Sequence, residues 1–111
     1  MFPSSSLNGK GDAFRHALWN GYCSLSIGHD LAEQLTTAHE NQPATYQFTY
    51  KETEMDLYNN NQGRLTAIYS NLFNISDNIL QNLQDGTLRQ LNNLDNNSRA
   101  TIYSVLIPTN Q

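Results

Sequence analysis

Apolar residues at helical spacing constrain the fold of this chain more than any other feature. Phe14, Leu18, Tyr22 and Leu25 recur every three or four residues, which is typical of one buried face of an α-helix. Similar patterns place Leu31, Leu35 and Ala38 on the inner face of a second helix, and Leu57, Leu65, Ile68 and Leu72 on that of a third. With 111 residues, the chain is long enough for one domain with a modest core.

The expected architecture is a single compact helical domain spanning residues 1–111, with about four to five helices. Gly28 and Pro43 are typical of helix ends, and Thr53 is typical of a helix start. Leu88, Leu91 and Leu94 continue a helical pattern near the C-terminus. The predicted elements are an N-terminal loop at 1–11, helices at about 12–27, 29–41, 53–73 and 76–83, and an extended loop at 44–51 between the second and third helices.

Composition and charge narrow the classes of function. The net charge is −4 and the six Lys and Arg residues are scattered, which argues against nucleic-acid binding through phosphates. No apolar run approaches the ~20 residues of a transmembrane segment, and no signal peptide is recognisable. The single Cys excludes an internal disulfide and a multi-cysteine metal site. The 15 Asn and 8 Gln residues predict an amide-rich surface on a folded domain.

A polar stripe lies beside the apolar face of the first predicted helix. Asp12, His16 and Asn20 are four residues apart, so their side chains project along one side of the helix. Arg15 and Trp19 flank this stripe. Taken alone, the pattern favours a helix-capping Asp with an ion pair to His16.

The third predicted helix carries a second polar stripe. Asp56, Asn60 and Gly63 share one face, with Asn59 beside them and Arg64 beyond. Consecutive Asn residues lower helix propensity, and a functional site would explain them as well as general amide richness does. A glycine inside a helix fits the close approach of another helix or of a ligand.

The pair His39-Glu40 lies at the end of the second predicted helix. A zinc motif of the HExxH type is excluded, because Pro43 occupies the position of the second His. Alternatively, His39 is favoured there by the helix dipole and Glu40 is solvated.

If the three helices converge, these groups form one site. Imidazole and carboxylate ligands suit Zn²⁺ or Mn²⁺, carboxylate and amide oxygens suit Ca²⁺ or Mg²⁺, and a His beside a carboxylate can act as a general base without metal. Guanidinium groups can bind a phosphate oxyanion. The hypothesis assigns catalysis to His16, His39, Glu40, Asp56, Arg15 and Arg64, binding of one divalent ion to the first four, and substrate binding to Asp12, Trp19, Asn20, Asn59, Asn60 and Gly63.

Four blocks of sequence resemble an uncharacterised bacterial domain of unknown function: residues 8–20, residues 38–40, residues 55–60 with Gly63-Arg64, and residues 107–110. Such domains are often found at the C-terminal end of large secreted or surface proteins, including proteins laid out like polymorphic toxins. The resemblance implies an exported bacterial domain and, in the toxin setting, an immunity protein as its partner. It implies no particular reaction.

Three functions are consistent with these residues. The leading hypothesis is a small metal-dependent hydrolase, acting on a phosphoester or on a lipid-linked substrate of the cell envelope. The second is a non-catalytic module that binds a protein or a glycan, with its polar stripes as a structural hydrogen-bond network. The third is a metal-stabilised structural domain. In the second hypothesis the contact surface is aromatic: Tyr46, Phe48, Tyr50, Tyr58 and Tyr69.

Overall fold

A computed structural model describes residues 8–40 and 47–111, except for the side chains of His39 and Glu40. The described residues form α1 (Lys10–Ile27), α2 (His29–Glu40), α3 (Thr49–Ala67), α4 (Ile75–Gln84), β1 (Arg89–Leu91) and β2 (Leu106–Pro108). The prediction of a mainly α fold is confirmed. Among the described helices, none combines the length and the apolar character needed to cross a bilayer.

The boundaries of α3 differ most from the prediction. The helix begins at Thr49 rather than Thr53 and ends at Ala67 rather than near Phe73. The prediction of an extended loop is therefore wrong for residues 49–51, and residues 41–46 lie outside the described residues. The early end follows from local side-chain bonds, since Asn71 Oδ1 accepts the backbone N–H groups of Phe73 and Asn74. Such bonds offer the backbone an alternative to the helix.

The segment after α4 is a strand, so the helical pattern predicted from Leu88, Leu91 and Leu94 is wrong. β1 pairs antiparallel with β2, and Leu91 lies opposite Leu106. Asn59 of α3 anchors this strand, because its side-chain amide donates to Arg89 O at 2.8 Å and accepts from Arg89 N at 2.9 Å.

α1 and α3 run parallel and approach each other closely. Paired residues on the two helices differ by a constant 44 positions, as in His16 with Asn60 and Asn20 with Arg64. The closest approach is at Gly63, where an added Cβ would lie 2.0 Å from Ala17 O. Only small residues or hydrogen-bonded amides fit between helices at this distance. The larger apolar side chains of the main core lie around this contact: Phe14, Ile75, Ile79, Leu83 and Leu88.

The predicted inner face is wrong throughout α2 and at three of the four residues of the third helix, where Leu57 is half-buried. Ile68 is 72% exposed, and Leu65 and Leu72 are also exposed. In α2 the predicted inward residues, Leu31, Leu35 and Ala38, are exposed, whereas Ala32 and Thr36 are buried. For α3 the reason is its close approach to α1 at Gly63, which favours small and polar side chains on the packed face and leaves larger apolar ones outside.

Candidate metal centre

Asp12 and His16 of α1 meet Asp56 of α3 at one point on the surface of the helix pair. Each offers one ligand atom, and these atoms lie within 4.8 Å of one another. His16 Nε2 is 3.4 Å from Asp12 Oδ1 and 3.4 Å from Asp56 Oδ1. The cluster forms because Asp12 and His16 are one turn apart, and the 44-residue register brings Asp56 to the same level.

The orientation of the His16 ring is set by Asn60. His16 Nδ1 lies 3.1 Å from Asn60 Oδ1, and an amide oxygen only accepts hydrogen bonds. Nδ1 therefore carries a proton, and Nε2 is the nitrogen that faces the two carboxylates. A second ring proton or a metal ion at this point would offset the negative charge of the two carboxylates. Metal-binding His residues commonly donate their other N–H in this way.

Two of the three separations between ligand atoms match those found around a metal ion. Two ligand atoms about 2.1 Å from an ion, at an angle of about 90–110°, lie about 3.0–3.4 Å apart. Both separations from His16 Nε2 equal the upper end of this range, 3.4 Å. The same separations are long for a direct hydrogen bond, whose usual length is about 2.9 Å.

Asp12 is kept ionised by its surroundings. Burial raises its pKa, but bonds from His16 and from Asn8 N, together with the charges of His16 and Arg15, lower the pKa below its ordinary value. Asn8 N donates to Oδ2 at 2.9 Å, and Arg15 Nη2 lies 3.4 Å from Oδ1. An ionised carboxylate is the form that binds metal.

Two of the three cluster residues line an open surface pocket of about 190 Å³. Asp12 and His16 line it together with Arg15 and Trp19, both of which are exposed. A guanidinium and an indole therefore stand beside the candidate metal position, where a substrate would enter.

Arg64 and Asn20 lie one helical turn away from this pocket, inside the fold. Arg64 is 4% exposed, and its Nη1 donates to Asn20 Oδ1 at 2.8 Å and to Thr36 Oγ1 at 2.9 Å. Asn20 Nδ2 in turn donates to His16 O at 2.9 Å. Burial lowers the pKa of Arg64, and Glu33 opposes this effect. Arg64 therefore ties α1, α2 and α3 together.

Asn59 and Gly63 also face neighbouring elements of the fold. Both polar atoms of the Asn59 side chain bond to the backbone of Arg89, and Gly63 packs against Ala17. Among the amides predicted to contact substrate, the described structure brings Asn60 to the cluster through its bond to His16.

His39 and Glu40 occupy the last two positions of α2, and their side chains lie outside the described residues. The backbone of α2 can be aligned with that of α1. Arg64 donates to both Thr36 and Asn20, so these two residues lie at the same level, and α2 runs antiparallel to α1 after Gly28. One turn beyond Thr36, α2 reaches the level of His16. A role for His39 and Glu40 stays a prediction.

Sequence reasoning missed Asn8 and Glu52. Glu52 is buried and accepts hydrogen bonds from Asn8 Nδ2 at 2.9 Å, Ala100 N at 3.0 Å, and the Arg99 guanidinium at 3.0 and 3.1 Å. Both residues could have been found from the four-residue spacing of the polar stripes. Asn8 extends the four-residue series of α1 by one step, and Glu52 does the same on α3.

The fold and the site define a small, mainly helical domain with a His and carboxylate cluster on two parallel helices. Residues 1–90 match DUF6973, a family described as a domain of unknown function, and the chain belongs to this family. The resemblance to an uncharacterised domain is thereby confirmed, while the exported, toxin-like setting stays a prediction. Searches of curated proteins and of solved structures gave no match.

Proposed function

We propose that this domain binds one divalent metal ion through Asp12, His16 and Asp56 and uses it to hydrolyse a phosphoester. The proposal depends on the contacts of the His16 ring. Its Nδ1 is held by Asn60 while its Nε2 lies 3.4 Å from each of two carboxylate oxygens. With a neutral imidazole, two carboxylates outnumber the one guanidinium of Arg15 at the cluster, so the site attracts a cation.

The ligand set favours Zn²⁺ or Mn²⁺ over Ca²⁺ or Mg²⁺. One imidazole nitrogen and two carboxylate oxygens are typical of the former pair, whereas the latter prefer oxygen ligands throughout. Three protein ligands also leave a position for water, as in catalytic rather than structural zinc sites. Asp12 and His16 line an open pocket, through which water and substrate can reach that position.

A phosphoester is the substrate class that the pocket suits best. A bound divalent ion lowers the pKa of its water ligand to near neutrality. In the reaction, water gives up a proton and its oxygen forms a bond to phosphorus, the ester P–O bond breaks, and the leaving oxygen takes up a proton. Arg15, which is exposed beside Asp12, stabilises the negative charge on the phosphoryl oxygens. Trp19 lines the same pocket and contacts the organic part of the substrate.

Three finer parts of this proposal are supported by the sequence alone. His39 and Glu40 supply further ligands or the proton acceptor for the attacking water. The substrate is a lipid-linked phosphate of the cell envelope, which follows from the toxin-like resemblance. In that setting the domain is exported and is neutralised by a cognate immunity protein.

The test is titration of the purified protein with Mn²⁺ and Zn²⁺, followed by assays of phosphodiester hydrolysis with a chromogenic diester. We expect one ion per chain, weaker binding at lower pH because protons compete for the ligands, and metal-dependent hydrolysis. His16→Ala should abolish both. The matched control is His29→Ala, which removes an exposed imidazole at the start of α2. Metal-independent hydrolysis, or equal loss in both variants, would overturn the proposal.

The second candidate is a non-catalytic binding module. It is favoured by the finding that Asn20, Asn59 and Arg64 use their polar groups inside the fold. Of the aromatic residues proposed for its contact surface, Tyr50 and Tyr69 are exposed, whereas Tyr58 donates its hydroxyl to Thr87 O. Tyr46 lies outside the described residues. A protein that binds no metal and is destabilised by His16→Ala would favour this candidate.

A further inference from the structure

Asn8 lies between Asp12 and Glu52 and is held on three sides. Its backbone N–H donates to Asp12 Oδ2 at 2.9 Å. Its side-chain Nδ2 donates to Glu52 Oε2 at 2.9 Å and to Ser98 O at 3.0 Å. Its carbonyl oxygen accepts the N–H of Leu91 at 3.0 Å. The residue is 1% exposed, so these bonds hold its backbone and side chain in one conformation.

The backbone of Asn8 is in the left-handed region, with φ of 62°. This conformation is unfavourable for most residues other than glycine, although Asn tolerates it better than most. It persists where the surrounding structure over-determines it, and here the side-chain bonds to Glu52 and Ser98 do so. The consequence is that the Asn8 N–H points at the carboxylate of Asp12.

Glu52 anchors the side chain of Asn8. Its carboxylate is held by two donors of the Arg99 guanidinium and by the N–H of Ala100. A buried carboxylate with this many donors is a rigid acceptor, since moving it would leave several polar groups unpaired. Glu52 therefore fixes Asn8 without itself reaching the metal cluster.

We infer that Asn8 is the positioning residue of the metal centre. By holding Asp12 Oδ2, it leaves Oδ1 directed at His16 Nε2, 3.4 Å away. The inference rests on the proposed function for its metal-binding part. Loss of such an outer partner typically weakens metal binding by about 10–100-fold.

The test compares Asn8→Gly with Lys51→Met. Asn8→Gly keeps the backbone N–H and the left-handed backbone but removes the bonds from the side chain. Lys51 Nζ donates to the carbonyl oxygens of Thr101 and Ser104 at 2.8 Å each. Lys51→Met therefore loosens the loop that follows Arg99 and Ala100 without touching Asn8, which makes it the matched control.

Two measurements are made on each protein. The first is the exchange rate of the residue 8 backbone N–H, which donates to Asp12 Oδ2, without metal, and the second is the affinity for Mn²⁺. In Asn8→Gly, exchange of this N–H should be about tenfold faster than in the wild type, because the side-chain bonds that hold it are lost, and Mn²⁺ binding should be weaker by about tenfold or more. Lys51→Met should change neither. The charged groups that face Asp12 (Arg15, His16 and Asp56) are the same in both variants.

Glu52→Gln is a second variant, for use if Asn8→Gly does not fold, and it is studied by amide hydrogen exchange. Exchange of the Asn8 N–H should then be about tenfold faster than in the wild type, because its anchor is weakened. Unchanged exchange of the residue 8 N–H in Asn8→Gly or in Glu52→Gln, or an equal change in Lys51→Met, would overturn the inference. If the wild type binds no Mn²⁺, the proposed function fails, whereas the exchange of this N–H still decides whether the Asn8 side chain holds the bond to Asp12.

Discussion

Substitution of Gly63 by Ala tests the close contact between α1 and α3, on which the geometry of the cluster depends. The added Cβ would lie 2.0 Å from Ala17 O and 2.7 Å from Ala17 C. Ordinary contacts begin at about 3.4 Å, and backbone atoms cannot rotate away. The helices would have to separate by more than ~1 Å. Overpacking costs about 1–3 kcal/mol, and sometimes more, so we expect the free energy of unfolding to fall by about 3 kcal/mol.

Whether Gly63→Ala lowers or raises the free energy of unfolding distinguishes a closely packed glycine from an unpacked one. Where nothing packs against a glycine inside a helix, Gly→Ala stabilises by about 0.5–1 kcal/mol. Urea denaturation monitored by circular dichroism measures the difference. Gly21→Ala is the graded control, because its Cβ would meet the flexible side chain of Ile75 at 2.9 Å rather than backbone, and we expect a smaller loss. A Gly63→Ala protein as stable as the wild type would refute the close packing and the register derived from it.

Two further predictions concern Arg64 and Asp12. Arg64→Met leaves the oxygens of Asn20 and Thr36 without their donor; it should lower the free energy of unfolding by about 1–3 kcal/mol in urea melts, yet weaken Mn²⁺ binding less than His16→Ala. Because folding lowers the pKa of Asp12, its contribution to stability is present above the ordinary pKa of Asp, about 3.9, and is lost as the pH falls through the lower folded-state pKa. Urea melts from pH 6 to pH 3 should show this loss in the wild type and less of it in Asp12→Asn; equal slopes would contradict it.

The sequence was sufficient to predict the helical class and the polar stripes on the first and third helices, while the convergence of three helices on one site was a hypothesis. Asp12, His16, Asp56 and Asn60 were all recognised from four-residue spacing, and the structure brings them together. This succeeded because side chains one turn apart must share a face of a helix. That argument needs no knowledge of the neighbouring helix.

The packed faces of α2 and α3 were not predictable in the same way. The pattern treats large apolar residues as the core, yet Ile68 is exposed and Arg64 is buried. Which side faces inward is decided by the close approach at Gly63, a relation between two helices that one helix does not encode.

Long-range anchors were the hardest to foresee. The bond of Asn8 to Glu52 joins positions 44 residues apart in sequence, and that of Glu52 to Arg99 joins positions 47 apart. No local pattern identifies such partners. The β1 strand was missed for the same reason, since its pairing with β2 and its anchor on Asn59 both come from distant residues.

Thermal unfolding with and without Mn²⁺ or Zn²⁺ shows whether Asp12, His16 and Asp56 bind a divalent ion. At an ion concentration 100 times the dissociation constant, binding stabilises the folded state by about 2.7 kcal/mol, which raises the unfolding temperature of a domain of this size by about 10 °C. We predict this rise for the wild type and its loss in Asp56→Asn, with unchanged helical content. An unfolding temperature that does not respond to either metal, or responds equally in Asp56→Asn, would show that these three residues do not form the metal site.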